Sequence, residues 1–256
     1  MKLYVAIFDD HRLLRHFLKH YVHFGITEFH IAAPLAFAAC VAEKSRGYTV
    51  YQYNDYEVAN TVTGSVDAVT AMRMATQGLD EWVVIVDLDE FVEFGESVYG
   101  LAARTDAAGR NVVRGIMYDR LATDGQPTGF DDQSILPDVY PVRSRLTKDL
   151  MGGFDQKGVL VKGHLMSRGA HHKFHGEKPA KEVLLEISHY KWTDRCLARV
   201  KQAVDMAAAK GIAWASQYQN VLDHYEANGR FVWESFGGEV RRPAENVQAG
   251  SKNLTI

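Results

Sequence analysis

The sequence is poor in several things that would each point to a function. Its 256 residues hold two cysteines, Cys40 and Cys196, too few for a disulfide framework or a cysteine-rich zinc site. Both lie among apolar helical neighbours, which reads as buried thiols in a reducing compartment. No stretch approaches the roughly 20 apolar residues of a membrane span. The opening run Met1–Phe8 meets Asp9-Asp10 too soon for a signal peptide. The expectation is a cytoplasmic protein, at most peripheral at the inner membrane face. Neither sign of charge dominates: 29 Lys+Arg against 32 Asp+Glu leave a net charge of -3. That excludes a dedicated nucleic-acid binder, which carries a basic excess, but leaves room for a local anion site. What remains is globular, with 46% hydrophobic and 24% charged residues, enough for a sizeable core without staples.

The first half alternates strand and helix patterns. Leu3–Phe8, Thr27–Ala33, Tyr48–Tyr53 and Trp82–Val86 read as strands. Between them, His11–Phe24 has Leu13, Leu14, Phe17, Leu18, Tyr21 and Val22 at helical spacing, with Asp10 as N-cap and Gly25 as stop. Leu35–Lys44 and Ser65–Gln77 are the other two helices. His16, His20 and His23 fall opposite the apolar stripe of the first helix, beside Lys19, and read as a solvated surface. Four strand–helix alternations predict an α/β fold with a mostly parallel, Rossmann-like central sheet flanked by helices. Ligands then sit beyond the carboxyl ends of the strands. That directs attention to Asp9 and Asp10, to Asn54 and Asp55, and to the residues after Val86 as nucleotide contacts.

The second half differs. Asn111–Leu121, Val159–Val161 and Val183–Ile187 read as strands, and Arg195–Lys210 as a helix followed by another through Tyr225. Between residues 122 and 158, Gly152, Gly153 and Gly158 with Pro127, Pro137 and Pro141 give loop chemistry suited to binding a second substrate. One domain over residues 1–236 is expected: a nucleotide-binding half to residue 110, a loop-rich acceptor-side half from 111, and a polar tail over 237–256.

The richest stretch is Trp82-Val83-Val84-Ile85-Val86-Asp87-Leu88-Asp89-Glu90-Phe91. If the strand runs on, Asp87 and Asp89 share a face about 7 Å apart, and Glu90 faces away. Two hard carboxylates at a strand end suit Mg²⁺ or Mn²⁺, which keeps waters and takes further ligands from a substrate phosphate. The segment Gly169–Lys178 holds three histidines and two lysines; it is either a solvated cationic loop or a source of metal ligands (His171, His172) and of a phosphate contact (Lys178). His189 and Lys191 form a second such pair.

Val86-Asp87-Leu88-Asp89-Glu90-Phe91 resembles the D-x-D-E-F block of GT-A glycosyltransferases of the family 2 and family 92 type. Leu14–Ile31 is similar to that group's helix, H-x-x-x-G turn and second strand. Asp119–Gly125 is similar to its D-R-x-x-x-D-G stretch, and His189-Tyr190-Lys191-Trp192 to its late H-[FY]-K-W segment. The resemblance spans about residues 3 to 210. It departs after strand one, where relatives often carry Asn-Glu and this chain has Asp9-Asp10. It implies a metal-dependent transfer of a sugar from a nucleotide-sugar, a UDP- or GDP-sugar, to a glycan or other acceptor hydroxyl, with inversion. Asp87 and Asp89 would hold the metal and the donor diphosphate. Inversion needs a base near the acceptor hydroxyl; Asp132 and Asp155 in the loop-rich segment are the candidates. Two alternatives stay open: a haloacid-dehalogenase-like phosphotransferase, whose D-x-D-x-[TV] block also ends an apolar strand, and a non-catalytic nucleotide-sugar-binding module.

Overall fold

The strand Trp82–Ile85 (β4) shows why this chain folds around one sheet. Val83, Val84 and Ile85 are wholly buried, and each such side chain contributes about 1.5–3 kcal/mol of burial. A strand that is apolar on both faces needs cover on both, so it lies in the middle of a sheet. The computed structural model describes residues 1–7, 10–53, 69, 72–73, 80–153, 155–163, 167–168, 173–174, 176–209 and 215–241.

Lys2–Ala6 (β1), Glu28–Ala32 (β2) and Val50–Tyr53 (β3) stand beside β4 in the order β3-β2-β1-β4, all parallel. This is half of a Rossmann-like sheet, and the order reverses between β1 and β4. Leu14–His23 (α1), Ala38–Lys44 (α2) and Val98–Ala107 (α3) belong to this half. Leu3, Val5 and Val84 face one side with Leu14, Phe17, Leu18, Tyr21, Val98 and Leu101. Tyr4, Ala6, Val83 and Ile85 face the other, with Val69 and Met72. The period-two pattern of the strands is thus filled on both sides. The first helix begins a turn later than expected: its cap is Leu13, with no side-chain cap bond. Asp10 instead turns to Arg12, whose backbone N–H and guanidinium both donate to it.

The second half enters the same sheet. Val112–Leu121 (β6) and Pro179–His189 (β11) run parallel to each other, and Gln156–Lys162 (β8) lies antiparallel between β4 and β6. Glu90–Glu93 (β5) pairs antiparallel with β11, and Val142–Ser144 (β7) with β6; Glu239–Val240 (β12) closes the edge. Ser167–Arg168 (β9) and Lys173–Phe174 (β10) form a separate hairpin. The fold is α/β as expected, parallel in its first half; the antiparallel strands of the second half make the whole sheet mixed. The loop-rich stretch is more ordered than its glycines and prolines indicated, since it contains β7 and two short helices, Leu136–Val139 (α4) and Leu146–Met151 (α5). Cys196–Ala209 (α6) and Ala215–Asn228 (α7) cover Trp192, Val200, Val221 and Phe231 in a further core.

Candidate active site at the carboxyl edge of the sheet

β1, β4, β6 and β11 run in one direction, so the ends of all four meet at one edge. β5 and β8, running the other way, begin there. The Asp-Leu-Asp-Glu segment lies between the end of β4 and the start of β5. It is a turn and not a continuing strand, which corrects the simple alternation of faces: the Glu90 N–H donates to the Asp87 carbonyl (3.1 Å), and the Asp87 N–H to Glu90 Oε2 (3.1 Å). Glu90 therefore sits with Asp87 instead of opposite it. Both accept from one ammonium, Lys157 Nζ, at 2.6 Å from Asp87 Oδ2 and 2.7 Å from Glu90 Oε1. Lys157 and Glu90 are buried, at 3% and 2% side-chain exposure, whereas Asp87 keeps 36%. Burial alone would discharge the lysine, but Asp87 and Glu90 hold it above its ordinary pKa.

A second buried set meets Asp89. His189 Nδ1 bonds Asp119 Oδ1 at 2.9 Å, and its Nε2 faces Asp89 Oδ2 at 3.5 Å. Asp119 also accepts from the Thr147 N–H (2.6 Å), the Thr147 hydroxyl (2.6 Å) and Trp192 Nε1 (2.8 Å). Burial would lower the His189 pKa, yet Asp89 and Asp119 raise it to about 10. Burial likewise works against Asp89, but the His189 charge, with Arg199 and Lys191 behind it, holds its carboxyl far below the usual range. With both ring nitrogens turned to carboxylates, His189 is held as a cation when no metal is bound, since an imidazolium has protons on both nitrogens.

The remaining expected residues divide sharply. Asp10 lies at the same edge but is spent on Arg12, whose Nη1 reaches Asp194 (2.9 Å) and whose guanidinium stands over Phe130. The charge of Arg199, on α6, lowers both Asp10 and Asp89. Lys191 is beside them, over the rings of Trp192 and Tyr218. Lys178 is a correction: its N–H donates to Asn111 Oδ1 at the start of β6, and it precedes the whole of β11. Eight residue steps of β6, about 26 Å of strand, separate Asn111 from Asp119, the partner of His189. Asp132 is held by Lys44 through both oxygens (2.6 and 2.8 Å). Asp155 is paired with Arg145 and Lys148, which outweigh its partial burial and keep its carboxyl below the usual range, a poor base. His16 and His20 are docked and not simply solvated: they bond the carbonyls of Asp131 (2.8 Å) and Val92 (2.9 Å), and burial lowers His20 to about 4. Asp9, Asn54, Asp55, His171 and His172 lie outside the described residues.

Lys157, Asp119, Arg12 and Arg199 carry much of this edge and were not singled out by motif. For Lys157 a signal exists: it opens the apolar run Gly158-Val159-Leu160-Val161, and a lysine buried in such a strand requires an acid. Asp119 lay inside a quoted stretch without a role.

The donor set was weighed against a divalent ion. Four acids, Asp87, Asp89, Glu90 and Asp119, stand here with Lys157 and His189, and Lys191 and Arg199 act on Asp89 as well. Asp87 and Asp89, the latter 20% exposed, are its open members. No group of three His, Cys, Asp or Glu side chains able to hold a metal occurs among the described residues. An ion of the Mg²⁺ type is commonly held by one or two carboxylates and completed by water and phosphate, so Asp87 and Asp89 are the residues that would hold one.

No family model matches the chain, and no curated protein does. Among solved structures it is similar to HddC from Yersinia pseudotuberculosis, at 8% identity and TM-score 0.35 over 63% of this chain and 72% of that one. It is also similar to a nucleotidyl transferase from Methanothermobacter thermautotroptrophicus, at 11% identity and TM-score 0.35 over 88% and 97%. Likeness of this size carries no argument about activity. No helix among the described residues is long and apolar enough to cross a membrane.

Proposed function

We propose that this chain is a glycosyltransferase of the GT-A type, which moves a sugar from a nucleotide-sugar to an acceptor hydroxyl with the help of Mn²⁺ or Mg²⁺. One observation carries the reading. The acid pair Asp87 and Asp89 stands at the end of β4, where the strand order reverses beside β1. That crevice is where open α/β sheets bind nucleotides.

In this reading Asp87 and Asp89 hold the ion, which when bound neutralises the diphosphate as the sugar leaves it. Lys157 and Glu90 fix the Asp87 end of the turn, and His189 with Asp119 fixes the Asp89 end. Preorganised charge of this kind stabilises developing charge without reorganising. Lys191 and Arg199, whose charges act on Asp89, would meet phosphate oxygens. Asp155 is set aside as the base because its lone pairs are committed to Arg145 and Lys148.

The test is a thermal-shift panel of nucleoside diphosphates with and without Mn²⁺. A ligand that binds only the native state raises its stability, so at least one nucleotide should raise the melting point, and only with the metal. Asp87→Asn and Asp89→Asn should each remove that response. Variants that respond as the unaltered chain does would overturn the assignment. Metal-dependent binding with no turnover of any nucleotide-sugar would make the chain a binding module instead.

A further inference from the structure

Lys157 is an unusual neighbour for a metal-binding turn. A divalent ion at Asp87 has to share a carboxylate with an ammonium that is already there. The lysine is not a surface residue able to swing away: it is 3% exposed, and it rises from β8, which is locked between β4 and β6. Its second partner, Glu90, is 2% exposed and closes the turn by accepting the Asp87 N–H. The ammonium, the turn and the carboxylate that would hold the ion therefore form one rigid unit. His189 Nε2 lies 3.5 Å from Asp89 Oδ2.

Resting on the reading above, we propose that Lys157 is a positioning residue and resident cation that keeps the turn's affinity for a lone divalent ion low, so that metal and nucleotide diphosphate enter together. The physical basis is charge balance. With Lys157 in place, a divalent ion at Asp87 meets an ammonium that already holds the same carboxylate at 2.6 Å, and the two cations repel. A diphosphate arriving with the ion brings several negative charges, which offset that repulsion and complete the ion's oxygen shell. Charges sharing one carboxylate repel strongly enough, even at the dielectric of water, to cost about tenfold in affinity. Lys157 also explains how the acids stay together before any ligand arrives: without a cation, Asp87 and Glu90 would repel and Glu90 would be a buried, unpaired charge.

The experiment is titration of Mn²⁺ into the full chain, read by the paramagnetic resonance of free Mn²⁺, alone and with UDP or GDP. The unaltered protein should bind Mn²⁺ weakly alone and at least about tenfold more tightly with the nucleotide that raises its melting point. Lys157→Met should tighten Mn²⁺ binding in the absence of nucleotide by about tenfold or more; Lys157→Arg, which keeps the charge, should not. The direction separates this from a structural role, since a merely damaged site binds metal less well. Because Lys157→Met leaves Glu90 unpaired, Lys157→Gln, which removes the charge but keeps an N–H donor for Glu90, should tighten Mn²⁺ binding in the same direction. A folded Lys157→Met or Lys157→Gln variant whose Mn²⁺ affinity is unchanged or weaker overturns the proposal while leaving the proposed function standing. So does an unaltered protein that binds Mn²⁺ equally well with and without nucleotide. If no variant and no nucleotide gives Mn²⁺ binding at all, the proposed function fails and takes this inference with it.

Discussion

His189 sits in a place where a neutral imidazole has no reason to be. Both ring nitrogens face carboxylates, Asp119 at 2.9 Å and Asp89 at 3.5 Å, and together these raise its pKa from 6.5 to about 10. A raised pKa is a statement about stability. Below about pH 6.5 the histidine is charged in both the folded and the unfolded chain, and the contribution of its two partners is fully present. Between pH 6.5 and 10 the unfolded chain gives up the proton while the folded one keeps it, so stability falls as pH rises through this window. Urea unfolding in EDTA at pH 6.5 and 9.5 should show a loss on the order of a few kcal/mol, and His189→Gln should lose much less over the same interval. Equal slopes for the two proteins would mean that the histidine is neutral in the fold. From the sequence His189 was recognisable as a site residue, but its chemistry was not. Whether a histidine is a ligand or a cation depends on which carboxylates the fold brings to it, and Asp119 comes from a strand 70 residues away.

At the scale of elements, strand placement was legible and the turn was not. The five apolar residues Trp82–Val86 announce a strand covered on both faces, and β4 is that strand. Alternation then put Asp87 and Asp89 on one face and Glu90 on the other, which holds only if the strand continues. It ends at Ile85 because the chain must reverse to start β5, whose partner β11 is nearly a hundred residues further on. Periodicity carries no information about a partner so distant. Lysine 178 was misplaced for the same reason: proximity to His189 in sequence becomes the length of a whole strand once β11 is extended. A glycine shows the reverse case, where a local motif does reach across elements. Gly125, in the Asp-Gly of the D-R-x-x-x-D-G stretch, has φ +73° and bonds Phe231 through its carbonyl (2.9 Å). A Cβ at this position would lie 2.2 Å from the Phe231 carbonyl oxygen. Phe231 belongs to the core under α6 and α7 and packs against Trp192, the residue whose indole bonds Asp119. Gly125→Ala combines a strained backbone with overpacking and should destabilise the fold by about 2–4 kcal/mol, measured by urea unfolding. A change under about 0.5 kcal/mol, the range of an ordinary surface substitution, would show that this contact does not hold the helical layer in place.

At the scale of the whole molecule, the two halves of the chain share one sheet. β8 of the second half inserts beside β4 of the first, and β5 of the first half pairs only with β11 of the second among the described strands. The same interleaving builds the site: Asp87, Asp89 and Glu90 come from the first half, while Lys157, Asp119 and His189 come from the second. Arg12 ties the halves once more through Asp10 and Asp194. An isolated fragment of residues 1–110 would expose the edge of β4, leave β5 without a neighbour and leave Glu90 buried or solvated with no cation. Sheets lacking partner strands lose their ladder bonds and expose edges that aggregate. The full chain should therefore unfold in urea as one transition, with tryptophan fluorescence and far-ultraviolet dichroism coinciding, although Trp82 lies in one half and Trp192 and Trp233 in the other. The 1–110 fragment should show no cooperative transition of its own. A fragment that folds cooperatively would mean that the parallel strands β3-β2-β1-β4 suffice as a unit. The acid turn would then have to be assembled without the cations that hold it in the intact sheet.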